Sequence, residues 1–76
     1  MSEQPVVIRT YADLRRAIAA RRRELGCTQL EMDKRAGLPS GYTGKVEGRT
    51  RCFGPLSLEL TLQTLKAELV LRPRAA

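Results

Sequence analysis

Seventy-six residues suffice for one small domain with a modest core, of a size at which dimerisation commonly adds stability, and they leave no room for a large catalytic architecture. Fourteen Lys and Arg against eight Asp and Glu give a net charge of +6, and because several Arg are clustered, a polyanion is the natural partner. No apolar run approaches the roughly 20 residues that span a bilayer, and no charged-then-apolar leader opens the chain, so the expected compartment is the cytoplasm, with no membrane partner.

There is no His, and Cys27 and Cys52 lack CxxC spacing. Two soft ligands are too few for a structural zinc within one chain, so no metal is expected. In a reduced cytoplasm both thiols read as small residues, with redox sensing as the alternative. Nucleophilic chemistry would lack its usual base, and the acidic residues lie beside basic ones without forming an acid/base pair. Neither catalysis nor a cofactor is expected.

In chain order, Met1 to Pro5 is a lead-in and Val6-Val7-Ile8-Arg9 a short β-branched run, too short to stand alone as a strand. Thr10 followed by Asp13 is a capping signal that predicts a helix from about Tyr11 to Leu25, closed by Gly26. Leu14, Ala17, Ile18, Arg21 and Leu25 fall on one stripe, which leaves Arg15, Arg16 and Arg23 directed away from the core. Arg21 interrupts that stripe and must snorkel or find an acidic partner.

The stretch Cys27 to Glu47 carries the densest signals. Thr28 and Glu31 make a second capping box, apolar residues recur at Leu30 or Met32 and at Ala36, and Gly37 supplies a left-handed end. Pro39 cannot extend that helix but suits the opening of another, where Ser40 offers a capping hydroxyl. A second helix over Ser40 to Glu47 is predicted. Two helices joined by so short a turn make a helix-turn-helix, whose second helix can enter the DNA major groove.

Gly48 to Pro55 reads as a loop. Leu56, Leu58, Leu60 and Leu62 alternate as a strand would, yet Leu58, Leu62 and Leu65 also satisfy a helical stripe with Ser57 as cap, and a helix is chosen. Glu68 to Arg72 reads as a strand closed by Pro73. The expected organisation is an arm with a short strand over 1–9, a helix-turn-helix DNA-binding domain over 10–67, and a strand and tail over 68–76.

The residues Leu25-Gly26-x-Thr28-Gln29, Ala36-Gly37-Leu38 and Val46-Glu47 resemble the Cro/repressor-type (XRE-like) helix-turn-helix family over roughly residues 10 to 68. That resemblance implies an all-α fold, a compact four-helix lambda-repressor-like domain, here with a short terminal β-strand. It also favours the helix at Leu56 to Leu65. The C-terminal strand is similar to the subgroup of HipB-type antitoxins, in which such a strand contributes to a homodimer. An apolar strand alone has an unpaired edge, and it can pair with Val6 to Arg9 or with its copy across a two-fold axis. Leu58, Leu62, Leu69, Val70 and Leu71 are the expected dimer contacts.

By the same resemblance the base-reading positions fall on Ser40, Gly41 and Lys45, with Gly44 on the same side and Thr43 and Val46 buried behind them. Lys can address guanine O6 and N7, and Ser is an indiscriminate donor and acceptor. Gly41 and Gly44 either let the helix backbone approach the groove, or leave specificity to Tyr42, the Arg-bearing loop and DNA shape. Gln29, with Thr28 beside it, is implied to bond a phosphate at the helix start and to brace the second motif helix. Arg49 and Arg51, with Tyr42 through its hydroxyl unless that ring packs inward, complete the expected phosphate contacts.

Two supporting arrangements are expected. Asp33 stands where the family usually has Ala, and burying a bare carboxylate is costly. It should accept from backbone N–H groups that open the second motif helix, or from Tyr42 or Thr43. Arg22 and Glu47 match a pair that the family often forms between its first and third helices. The function implied is a homodimeric, sequence-specific DNA-binding repressor. The alternatives are an antitoxin gripping a toxin partner and, less favoured because only Tyr11, Tyr42 and Phe53 are aromatic, an RNA-binding basic domain.

Overall fold

A computed structural model describes residues 4–75. Among these the chain is all-helical, with α1 at Tyr11–Glu24, α2 at Gln29–Ala36, α3 at Tyr42–Glu47 and α4 at Pro55–Leu65.

The first two helices start where side chains satisfy their free N–H groups. Thr10 Oγ1 accepts from Asp13 N (3.1 Å), and Asp13 Oδ2 accepts from Thr10 N (3.2 Å) and Arg9 N (3.0 Å). Thr28 and Glu31 repeat the exchange at 3.1 and 2.9 Å. Each such cap is worth about 1 kcal/mol. Both helices end in a left-handed glycine, Gly26 and Gly37. Past these, Cys27 N donates to Arg22 O (3.1 Å) and Leu38 N to Asp33 O (2.8 Å), the bonds that close a Schellman motif.

The third helix departs from the sequence expectation. It begins at Tyr42 rather than Ser40, and Ser40 caps nothing, because Gly41 takes a left-handed conformation (φ +89°) at the N-cap. Pro39 belongs to the turn, its carbonyl accepting from Tyr42 N at 3.0 Å. The fourth helix also starts earlier, with Gly54 as N-cap and Pro55 in the first turn, where Pro loses no hydrogen bond. Ser57 is therefore not the cap residue; from inside the helix its Oγ accepts from Gly54 N at 2.8 Å.

Ile18, Cys27, Met32, Ala36 and Leu65 form the core, flanked by Leu14, Leu25, Leu38, Phe53, Leu58 and Leu60. Of the two apolar candidates on α2, Met32 is buried and Leu30 is 57% exposed. On α1 the inward face is turned towards Ala19 and Arg22, so Arg15 is half-buried rather than free in solvent. Arg21 donates from Nε to Leu65 O (3.1 Å) instead of carrying its head out to solvent, and from Nη1 to Glu24 (3.4 Å), the acidic partner that was the other expectation. The first of these supplies a donor to the last turn of α4.

The expected strands at 6–9 and 68–72 are absent among the described residues. A strand exists only by pairing, and within one chain neither segment meets a partner. Leu69, Val70 and Leu71 lie exposed, Leu71 at 98%, whereas Leu58 and Leu62 are half-buried on α4. No helix among the described residues is long and apolar enough to cross a membrane.

Candidate nucleic-acid interface

Six residues make too short a helix to stand by itself, so α3 depends on its neighbours for both ends. At its start, Asp33 of α2 acts as a cap delivered from another helix. Its Oδ2 accepts from Gly41 N (2.8 Å), and its Oδ1 from Thr43 N (2.9 Å) and Thr43 Oγ1 (2.6 Å). Asp33 is 2% exposed, and three donors on its carboxylate offset the cost of that burial. The donors expected for it from sequence include these.

At the far end, Glu47 is clamped from α1. Arg22 Nε donates to Oε2 at 2.7 Å and Nη2 to Oε1 at 2.9 Å, while Nη1 reaches Cys27 O at 2.8 Å. Both side chains are about nine-tenths buried, so the fork-to-fork pair between the first and third helices is formed with little solvent screening. Burial pushes the Glu47 carboxyl up, but the hydrogen bonds from Arg22 and Gln29 outweigh it and hold the group below its ordinary value. Arg22 is shifted up by its bonds to Glu47.

Held in this way, α3 turns Tyr42, Thr43 and Val46 inward and leaves Ser40 and Lys45 exposed, with Gly41 and Gly44 half-exposed beside them. Of the four positions expected to face bases, Gly44 and Lys45 lie on α3 and Ser40 and Gly41 in the turn before it, all of them at least partly open to solvent. Gly44 has a local reason as well. A Cβ there would stand 3.1 Å from Gln29 Oε1, so the glycine lets the Gln29 side chain lie across α3 and donate to Glu47 Oε1 at 3.0 Å. Gln29 thus braces α3 from the first turn of α2.

Tyr42 does not present its hydroxyl to solvent. The ring is buried, and the hydroxyl lies 2.6 Å from Ser57 Oγ and 3.3 Å from the Cys52 carbonyl. Tyr42 therefore leaves the phosphate-contact set and ties α3 to α4. Arg51 stacks its guanidinium over that ring, 5.1 Å from the centroid, which orients a charge otherwise carried on a loose loop. Arg49 is exposed and left-handed (φ +68°). It closes a Schellman turn in which Thr50 N donates to Lys45 O at 3.0 Å. Glycine suits that place better, by roughly 1 kcal/mol.

The loop's remaining anchor escaped the sequence reading. Tyr11 Oη accepts from Phe53 N at 2.9 Å, and the two rings meet edge to face at 6.5 Å. The available signal was a lone pair of aromatics 42 residues apart, which no local pattern links. Cys27 is buried and Cys52 exposed, both unbridged, and no group of three potential metal ligands occurs among the described residues. No family model, curated protein or solved structure is significantly similar to this chain.

Proposed function

We propose that this chain is a sequence-specific DNA-binding transcriptional regulator, a homodimeric repressor that works as a helix-turn-helix and lays α3 in the major groove. The observation that carries this reading is α3 itself. Asp33 fixes its start and Arg22 with Glu47 fixes its end, while its exposed side carries Lys45 and no bulky apolar group, with Ser40 exposed in the turn before it. A helix so short and so firmly held serves as a rigid reading edge.

In this reading Ser40 and Lys45 contact base edges, and Gly41 and Gly44 allow the backbone to come close. Thr28, Gln29, Arg49 and Arg51 contact phosphates. Leu69, Val70 and Leu71, which have no apolar cover, pair with a second copy to form the terminal strand, with Leu58 and Leu62 on α4 nearby. The same uncovered tail favours one alternative, an antitoxin whose tail also grips a toxin. Selection of bound duplexes from random sequence tests the reading: palindromic half-sites about one helical turn apart are the expected result. Recovery of no preferred sequence, or equal binding to single-stranded polymers, would refute it.

A further inference from the structure

Beside α3 the surface carries a basic groove of which the DNA-binding reading uses only Arg49. Along α1, Arg15, Ala19 and Arg23 are spaced four apart and so form one stripe. With Arg16 they face Glu47 and Arg49 across an open groove of about 270 Å³. Its lining residues are four arginines, which contribute stems as well as charged heads, with Ala19 and Glu47.

The charges in this groove are only partly compensated: Glu47 interacts with Arg23 at longer range without an ion pair. Arg16 is matched by Asp13 at 2.8 Å. Glu47 is already taken by Arg22 and Gln29. Arg15, Arg23 and Arg49 have no carboxylate within 4.0 Å among the described residues, although Arg15 is half-buried. Gathering like charges into one concavity destabilises a free protein and focuses its field on an anion. All four cations are Arg and none is Lys, and the planar fork matches phosphate oxygens two at a time. A single carboxylate would leave most of the charge unanswered, whereas two adjacent phosphate groups would answer it.

We propose that the groove between α1 and the start of the α3–α4 loop is a phosphate-binding site, distinct from the base-reading side of α3, that holds closely spaced phosphate groups. The shared chemistry is a run of phosphates, whose source is either the backbone of a bound duplex or a free polyphosphate. Only the duplex source rests on the DNA-binding reading.

The test uses the full chain and inorganic pyrophosphate at constant ionic strength, observing the arginine Nε–H resonances. Those of Arg15, Arg23 and Arg49 should shift together and saturate, while those of Arg72 and Arg74 in the exposed tail stay in place. R23Q/R49Q, which changes two exposed side chains, should weaken pyrophosphate about tenfold, counting three- to fivefold per exposed contact. R23K/R49K, which keeps the charge, should recover part of it. Groove resonances that stay still, or move no more than those of Arg72 and Arg74, overturn the proposal whatever a duplex does.

Duplex titrations with the same variants identify the source. If the salt slope shrinks by about 0.9 for each phosphate that is no longer neutralised, backbone phosphates occupy the groove. An unchanged slope with pyrophosphate still bound assigns the site to a free polyphosphate. A chain that binds no duplex at all refutes the DNA-binding reading and leaves the pyrophosphate result to stand or fall by itself.

Discussion

Asp33 shows how one side chain can determine a helix that it does not belong to. Three donors converge on its carboxylate, two of them backbone N–H groups at the opening of α3, so its removal leaves three buried or half-buried donors unsatisfied at once. Hydrogen bonds to charged groups contribute about 1.5–3 kcal/mol each in isolation and less when removed together. Asp33→Ala should therefore cost roughly 2–3 kcal/mol, which for a domain of this size lowers Tm by roughly 10–20 °C. Asp33→Asn keeps the shape and one acceptor and should fall between the two. Thermal unfolding followed by circular dichroism measures both, and an Ala variant within about 0.5 kcal/mol of the parent would contradict the cross-helix cap.

At the level of elements, what could be read from sequence divides by how local the deciding interaction is. The starts of α1 and α2 were legible because Thr10 with Asp13 and Thr28 with Glu31 lie three residues apart and carry the whole cap between them. The start of α3 was not. Pro39 and Ser40 are genuine local cues, but they are overruled by a left-handed Gly41 and a carboxylate eight residues away. For α4 the alternating leucines permit two periods, and Gly54-Pro55 placed the first turn earlier than Ser57 would have. The tail read as a strand because its composition is that of one, yet pairing is a property of two segments.

The site divides in the same way. Arg22 with Glu47 was visible only through a resemblance, and the groove joining Arg15 to Arg49 not at all, since its two halves come from separate elements and no local pattern links them.

Two predictions belong to the packing of α3. Breaking a buried pair by removing one partner costs about 3–5 kcal/mol because the other charge is stranded. Arg22→Met should therefore be severe, while Arg22→Met with Glu47→Leu should regain most of the loss, and a double-mutant cycle in urea gives the coupling. The Glu47 carboxyl titrates below its ordinary value near 4.5. Its contribution is thus fully present at neutral pH and fades as the pH falls below about 4.5 and through the depressed folded value. Glu47→Gln should flatten that part of the acid limb, as read from stability against pH; an unchanged limb would remove Glu47 as its cause.

Gly44 provides a contrast. Ala is the better helix former by about 1 kcal/mol, and the group a new Cβ would crowd is the amide end of Gln29, exposed but bonded to Glu47. Displacing Gln29 also gives up its bond to Glu47, which offsets that gain to within about 1 kcal/mol. Gly44→Ala should therefore leave stability within about 1 kcal/mol of the parent, yet weaken duplex binding by thickening the proposed reading face. A variant that gains stability and keeps full affinity would show that the glycine has no part in recognition.

For the molecule as a whole, the four helices bury one small core and leave an apolar tail outside it. Leu69, Val70 and Leu71 are 50, 78 and 98% exposed, a pattern a free monomer rarely keeps on a segment with strand-forming composition. None of the three belongs to the core or packs on it, so the fold does not need them and an assembly can use them. Leu69→Asp with Leu71→Asp separates these roles, because on the proposed paired edge the new charges would repel their copies in a second chain. Helical content and Tm at low concentration should match the parent, while sedimentation should shift from dimer to monomer. Affinity for a duplex with two half-sites should then drop towards that for one half-site, since the second contact is no longer supplied at high effective concentration. A variant that still sediments as a dimer would place the subunit contact elsewhere, with the half-buried Leu58 and Leu62 of α4 as the next surface to alter.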